Sequence, residues 1–283
     1  MIDFPVIDTH LHLWDINHLS YPWLADVPGL NRTFTLDDYK EACGDLDVEK
    51  MIFMQCECDP SQYIQEVEWI SGLARKEPAL RGIVSWAPLE KGEEARPEIE
   101  ALKANPLVKG IRRIIQFEPD LEFCLRPDFI KGVNMLAGYG LTFDICISHI
   151  HNRSVIKFLE KCPDVPMILD HIGKPDIKNH IMHPWREEIR EIANFPNVCC
   201  KFSSLATEAD HENWTVEDLR PYVDHIIECF GIDRLIYASD WPVVTRATDL
   251  RTAISTMLKF LKDFSREDLQ KVFHHNAEEF YGV

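Results

Sequence analysis

The stretch VIDTHLHLWD (residues 6–15) opens with a short apolar run that leads into two histidines. On an extended strand, side chains two positions apart point to the same face, about 6.5–7 Å from one another. His10 and His12 can therefore converge on one target, either a metal ion or a substrate oxygen. A second acidic strand end, LIYASDWP (residues 235–242), carries Asp240 near the other end of the chain. If the strands between them close into a barrel, Asp240 joins both histidines.

Eight short apolar runs alternate with amphipathic helical stretches along the 283 residues. The runs are continuous rather than alternating in polarity, which is typical of strands buried on both faces of a parallel sheet. Eight such units, in one domain over residues 1–283, predict an α/β fold of the (β/α)₈ TIM-barrel type. An open doubly wound sheet is the alternative, but no glycine-rich phosphate loop supports it. The runs centre on Val6-Ile7, Met51–Phe53, Ile83-Val84, Ile111, Phe143–Ile147, Met167–Leu169, Val198–Cys200 and Leu235–Tyr237.

Helix boundaries are marked by capping residues, prolines and glycines between these runs. We expect capping boxes at Thr35 with Asp38 and at Ser265 with Asp268, a helix capped by Ser61, and a helix that begins at Pro127 and ends at Gly138 and Gly140.

The composition indicates which binding partners and which cellular compartment fit this protein. Acidic residues outnumber basic ones by 47 to 30, for a net charge of −17, so nucleic acid and anionic membranes would be repelled overall. The nine cysteines show no CxxC spacing, and we interpret them as reduced thiols rather than a disulfide framework or a zinc site. No apolar run approaches the roughly 18 residues of a membrane span. The net charge says little about a small polar substrate, whose site can be locally basic. We expect a cytoplasmic protein, either monomeric or homo-oligomeric.

In barrel enzymes the catalytic residues lie at the carboxyl ends of the strands. The residues that follow each predicted strand are therefore the candidates for the active site. They are rich in histidine, carboxylates and cations, which suit hydrolysis of a polarised carbonyl. The tryptophan-rich loop that follows the first strand is expected either to wall the pocket or to pack on the barrel mouth. His274-His275 is interpreted as structural. The candidates are catalytic Asp240, His171, His10 and His12, and substrate-binding Arg112, Lys201, Gln55, His149, Lys174, Trp23 and Trp241.

Five motifs together resemble one branch of the amidohydrolase superfamily: VIDTHLHLWD, YPWL, LDHIGKP, CKFSSLATEAD and YASDWPV. The branch is the amidohydrolase-2 group that contains sugar lactonases such as L-fuconolactonase and L-rhamnonolactonase. The resemblance spans nearly the whole chain and implies a TIM barrel that opens a sugar-acid lactone by attack of water on the ring ester. It implies Asp240 as general base. It also matches His171 to the histidine of the DHxGKP motif, Arg112 to a fourth-strand arginine, and Lys201 to the lysine of the CKxSGL motif.

The resemblance leaves the metal open. His10, His12 and Asp240 could hold one divalent ion, with zinc the first candidate, or work without one, since lactonases of this branch have no obligatory metal. His149 lies at or one residue past the fifth-strand position where many metal-dependent relatives place a ligand. The fourth strand carries Arg112 and an adjacent arginine rather than a carboxylate, which argues against a binuclear site.

Two other functions remain alternatives from the sequence. A decarboxylase or hydratase of the same superfamily would use the same triad with a tightly held zinc and His149 as a further ligand. A barrel without catalytic activity could bind sugars or act as a scaffold. If the protein is a lactonase, a dicarboxylate pyrone would require several arginines at the strand ends. Few are present, which favours a neutral sugar lactone as the substrate.

Overall fold

The computed structural model describes residues 2–283, and eight parallel strands form its centre. Each strand pairs in parallel with the next in chain order, and helices connect them on the outside. This arrangement confirms the predicted TIM barrel. The strands are β1 (Val6–Leu11), β2 (Val48–Met54), β3 (Leu80–Ser85), β4 (Val108–Ile111), β5 (Thr142–Ile145), β6 (Met167–Leu169), β7 (Val198–Phe202) and β8 (Leu235–Tyr237).

The last and first strands meet at their carboxyl ends, so the barrel is nearly closed. The backbone N–H of Asp240 donates to the carbonyl of His10 over 3.0 Å, and that of His12 donates to the carbonyl of Trp241 over 2.8 Å. This junction joins positions more than two hundred residues apart in the chain, and it places Asp240 directly beside the two histidines.

All eight apolar runs lie within or overlap strands. The fifth strand is shorter than its run, because it ends at Ile145 rather than Ile147. The carbonyl of Cys146 instead accepts hydrogen bonds from the backbone N–H groups of Ile115 and Gln116, in the loop that follows β4.

Residues 2–283 form ten α-helices, which lie around the strands and, for the last of them, across the amino end of the barrel. The capping boxes at Thr35 and Ser265 form as predicted. The helices are α1 (Leu36–Cys43), α2 (Tyr63–Ala74), α3 (Arg96–Lys103), α4 (Pro127–Tyr139), α5 (Asn152–Leu159), α6 (Trp185–Ala193), α7 (Val216–Phe230), α8 (Leu250–Phe260), α9 (Arg266–Gln270) and α10 (Asn276–Tyr281), counted over residues 2–283.

Two predicted helix boundaries are wrong in detail. Ser61 does not cap α2: its backbone N–H and hydroxyl both donate to Asp59, which caps a short 3₁₀ turn before the helix. Gly138 lies inside α4, whereas Gly140 follows the helix with φ of 60° and ends it. A glycine tolerates that left-handed backbone without a Cβ clash, which is why the chain can turn there into β5.

The barrel interior is apolar at its amino end and polar at its carboxyl end. The C-terminal helix α10 closes the amino end, where Tyr281 belongs to one apolar cluster with side chains from five strands. The apolar layer consists of Ile7, Ile52, Met54, Val84, Ile168 and Ile236. Charged groups therefore collect above this layer, at the mouth where the site residues lie.

None of the helices formed by residues 2–283 has both the length and the apolarity that a membrane crossing requires.

Candidate active site

Three imidazoles surround one carboxylate oxygen at the carboxyl end of the barrel. Oδ1 of Asp240 lies 3.4 Å from Nε2 of His12, 3.6 Å from Nε2 of His10 and 3.9 Å from Nε2 of His171. The Nε2 atoms of His10 and His12 are 3.0 Å apart. All four side chains are almost fully buried. The structure thus brings together the four residues that the sequence nominated for catalysis.

Hydrogen bonds on the far side of each group fix its orientation. Nδ1 of His12 lies 2.9 Å from the carbonyl of Met54, so it carries the proton and leaves Nε2 free to accept. Nδ1 of His171 lies 2.8 Å from the hydroxyl of Ser203. The second oxygen of Asp240 accepts a hydrogen bond from the hydroxyl of Ser204. Neighbours on the ends of β2 and β7 therefore aim these side chains at one point.

A buried ammonium lies behind His10. Nζ of Lys201 is 2.5 Å from Oδ2 of Asp144, 3.0 Å from Oδ1 of Asp170 and 3.1 Å from Nδ1 of His10. The two carboxylate oxygens accept from the ammonium, and Nδ1 of His10 also accepts in the tautomer that carries the imidazole proton on Nε2, so all three ammonium protons can be engaged. The hydroxyl of Tyr281 donates to the same oxygen of Asp144 over 2.9 Å. The network connects the C-terminal helix below the barrel to the imidazole at its mouth.

The guanidinium of Arg112 completes this charged layer. Nη1 lies 3.1 Å from Nε2 of His10 and 3.4 Å from Oδ2 of Asp170, and Nη2 donates to the carbonyl of Gln55 over 2.7 Å. Lys201 and Arg112 thus both contact His10 and Asp170, one from each side of the ring.

The imidazoles are neutral at physiological pH. Burial lowers the pKa of His171 to about 3 and that of His10 well below its ordinary value, where the Lys201 charge acts in the same direction. Burial also lowers the pKa of His12. Burial alone would raise the pKa of Asp240, but the positive charge that a neighbouring imidazole carries when it is protonated, that of His171 first, lowers it below the ordinary value. An ionised carboxylate therefore faces three uncharged rings.

Left-handed backbone conformations cluster around the mouth. Among non-glycine residues 2–283, seven have positive φ, and six of them follow strand ends with φ between 44° and 54°. Such conformations cost of order 1–3 kcal/mol each and persist where the surrounding structure holds them. The six are Glu57, His171, Ile172, Lys174, Ser204 and Asp240. The backbone strain therefore lies around the same centre as the buried histidines.

The donor geometry at this centre fits one zinc ion. Bonds of about 2.0–2.1 Å in a tetrahedral site place ligand atoms roughly 3.3 Å apart. The corresponding separations are 3.0, 3.4 and 3.6 Å between Nε2 of His10, Nε2 of His12 and Oδ1 of Asp240. A metal ion on Nε2 of His10 would require the imidazole proton on Nδ1, which could then no longer accept from Lys201. The guanidinium of Arg112, 3.1 Å from Nε2, would compete with the metal for the same lone pair. A second set, His10 with Asp170 and His171, is occupied by the Lys201 ammonium at Asp170.

Two further candidates lie on the rim of the mouth rather than in its centre. Lys174 donates to Oε1 of Gln116 over 2.5 Å, and its carbonyl lies 3.2 Å from Nδ1 of His149. Both line a groove of about 660 Å³, together with Glu208. Among residues 2–283, the three-residue groups able to hold a metal ion do not include His149. The lining of this groove does not include the four central residues, so His149 and Lys174 lie beside the buried centre rather than in it.

The remaining candidates support the walls of the site. The amide of Gln55 is engaged with Glu57 on both sides, over 2.6 and 2.7 Å. Trp23 is half-buried in the loop after β1 and donates to the carbonyl of Cys56 over 2.8 Å. The indole of Trp241 packs edge-on against neighbouring aromatic rings, and its backbone holds His12.

Asp144 and Tyr281 are functional candidates that the sequence reasoning missed. Asp144 lies inside the apolar run FDICISHIH, and an acidic residue within a buried strand is the feature of the sequence that could have identified it. Tyr281 carried no signal, since its partner lies 137 positions away. Arg113, although adjacent to Arg112, turns outward and pairs with Glu90 and Glu118.

Comparison with known proteins agrees with this architecture. An amidohydrolase family model matches residues 7–283. The uncharacterized protein y4mH of Sinorhizobium fredii is 30% identical over 302 residues, covering 100% of each chain. L-fucono-1,5-lactonase of Burkholderia ambifaria is 27% identical over 238 residues, covering 84% of this chain and 80% of the relative. The solved structure of an amidohydrolase from Burkholderia multivorans with bound zinc is 25% identical, with a TM-score of 0.89 over 99% of this chain and 100% of that one. The chain therefore belongs to the amidohydrolase family.

Proposed function

We propose that this enzyme hydrolyses the ring ester of a sugar-acid lactone, with Asp240 as the general base. The observation that carries the proposal is the ionised carboxylate of Asp240, buried among three neutral imidazoles at the mouth of the barrel. Relatives named L-fucono-1,5-lactonase and L-rhamnono-gamma-lactonase support this substrate class. An aldonolactone such as L-fucono- or L-rhamnonolactone is the substrate we favour.

In the proposed reaction, Oδ1 of Asp240 takes a proton from water as the water oxygen attacks the lactone carbonyl. Nε2 of His171 and the guanidinium of Arg112 lie close enough to the centre to stabilise the negative oxygen of the tetrahedral intermediate. When the ring C–O bond breaks, Asp240 returns its proton to the departing alkoxide. The product is a hydroxy acid, which ionises and releases one proton per turnover.

A lactone suits the electrostatics of this site. A carboxylate with a lowered pKa is a weak base, and a ring ester is easier to hydrolyse than an amide. Lys201 lies behind His10 with its three protons engaged, so we assign it the role of holding His10 rather than of touching substrate.

We also propose that His10, His12 and Asp240 can hold one zinc ion. The solved structure of the Burkholderia multivorans amidohydrolase has bound zinc, which supports zinc as the candidate ion. When bound, the metal would act as a Lewis acid on the carbonyl oxygen. The roles proposed for the side chains hold with or without it.

The test is a pH-indicator assay of the purified protein against a panel of aldonolactones, with and without added zinc. Asp240→Asn should lower kcat by about 10²- to 10⁴-fold. Asp224→Asn is the matched control, since Asp224 is exposed on α7, and it should leave kcat unchanged. Near-normal turnover by Asp240→Asn would remove the assignment of the base.

Two further arms separate the alternatives. If no aldonolactone is hydrolysed with or without zinc, the substrate class is wrong. Metal analysis before and after chelation, with activity measured at each stage, reports whether the triad holds an ion and whether turnover needs it.

A further inference from the structure

The two oxygens of Asp240 have different environments. Oδ1 faces the three imidazoles, whereas Oδ2 accepts a hydrogen bond from the hydroxyl of Ser204. Ser204 lies two residues past the end of β7 and is 4% exposed, so water does not replace this bond freely. The bond divides the carboxylate into one oxygen that is held and one that is free to react.

The backbone of Ser204 is in an unfavourable conformation for a residue with a side chain. Its φ is +54°, in the left-handed region where glycine carries no Cβ penalty. The hydroxyl of Thr207 donates to the carbonyl of Ser204 over 2.8 Å, and glycine would offer the same carbonyl. Within residues 2–283, the bond to Asp240 is the hydrogen bond that the Ser204 side chain makes. The local backbone therefore favours glycine, and contact with Asp240 favours serine.

A hydroxyl at this place controls orientation. The terminal torsion of an aspartate side chain is broad and roughly two-fold, so an unrestrained carboxylate turns and exchanges its oxygens. A donor on Oδ2 opposes that turn and keeps Oδ1 directed at His10 and His12. The neighbouring Ser203 holds His171 through Nδ1 in a comparable way, so the loop after β7 orients two of the central groups.

We propose that Ser204 is a positioning residue, whose hydroxyl holds the general base Asp240 with one oxygen directed at the reaction centre. The inference rests on the proposed function of Asp240. The strain at Ser204 is kept because the hydroxyl is needed, and substitutions should therefore separate activity from stability.

Two substitutions make this separation. Ser204→Ala removes the hydroxyl and keeps the strained Cβ, whereas Ser204→Gly removes both. We expect both variants to lower kcat by about 10- to 100-fold with little change in KM, since the base is misoriented while binding persists. We expect Ser204→Gly to unfold at a higher temperature than Ser204→Ala, because only the glycine relieves the backbone.

His180 provides the matched control. It also has positive φ, 55°, but its side chain is exposed and outside the site. His180→Gly should be more stable than His180→Ala, with wild-type kcat in both. A wild-type kcat in Ser204→Gly, or activities of the two Ser204 variants that follow their stabilities, would overturn the inference.

A thermodynamic cycle tests the contact without any substrate. The unfolding of Ser204→Ala, Asp240→Ala and the double variant is compared with that of the wild type. We expect the Ser204→Ala penalty to shrink once Asp240 is absent, because the two residues are in contact. Additive penalties would contradict the inference whatever the enzyme hydrolyses, whereas failure of every aldonolactone would contradict only the proposed function.

Discussion

Replacing Lys201 by methionine should destabilise the fold by about 3–5 kcal/mol, because it leaves buried carboxylates without their cation. The ammonium is fully buried, 2.5 Å from Asp144 and 3.0 Å from Asp170. At an effective dielectric constant of about 20, each attraction amounts to roughly 5–7 kcal/mol. The cost of desolvating the ammonium, several kcal/mol, offsets part of that sum. Burial also raises the pKa of Asp144 to about 6 against the pull of Lys201, so this carboxyl can take up a proton and limit the loss.

The assay is urea and thermal unfolding at neutral pH. A loss of this size lowers the thermal midpoint by roughly 6–10 °C, at about 2 °C per kcal/mol for a chain of this length. Lys40→Met is the matched control, since Lys40 also contacts a carboxylate, Glu77, at 2.5 Å but is 56% exposed. Exposed pairs contribute about 1 kcal/mol or less. Equal losses in the two variants would show that burial does not govern the strength of this network.

A second substitution tests the charge argument itself. Asp144→Asn added to Lys201→Met removes one of the uncompensated carboxylates, so the double variant should be more stable than the sum of the two single losses predicts. Strictly additive losses would refute the reasoning even if Lys201→Met alone were destabilising.

Two further predictions concern stability away from the catalytic centre. Burial raises the pKa of Glu66 to about 8, so the free energy of unfolding should fall by at most about 5 kcal/mol as pH rises from about 4.5 to 8. Glu66→Gln should remove that fall, and urea unfolding across this pH range would measure it. A Cβ at Gly132 would lie 2.1 Å from the carbonyl oxygen of Leu89, whereas one at Gly138, in the same helix, meets nothing within 4 Å. Gly132→Ala should therefore cost about 1–3 kcal/mol and Gly138→Ala should stabilise by about 0.5–1 kcal/mol, as thermal unfolding would show.

The barrel was predictable because its strands are buried on both faces. Such strands appear in the sequence as continuous apolar runs, and eight of them between helical stretches suffice to name the architecture. The meeting of His10 and His12 with Asp240 then followed from ring closure alone. The ends of elements were less predictable: a hydrogen bond to Asp59 rather than a cap from Ser61 precedes α2.

The supporting residues could not be predicted, because their roles depend on contacts between distant elements. In the sequence, Ser203 and Ser204 are two hydroxyl residues after an apolar run, and only the structure shows that they contact His171 and Asp240. A sequence does not show which side of a strand end a hydroxyl faces, or that the backbone there is left-handed. The strain at Ser204 was equally invisible, since its φ is set by the loop as a whole.

The buried charges explain why this centre suits both a proton acceptor and a cation. Around His10, the carboxylates of Asp144, Asp170 and Asp240 face the cations of Lys201 and Arg112, while the imidazoles are neutral. Three carboxylates against two cations leave one negative charge when all are ionised. Lys201 and Arg112 contact Asp170, on the inner side of His10, so the excess lies on the outer side, at Asp240. The negative charge of Asp240 attracts either a proton from water or a metal ion. Because the neighbouring imidazoles are neutral, they do not cancel this charge before the proton or the metal ion binds.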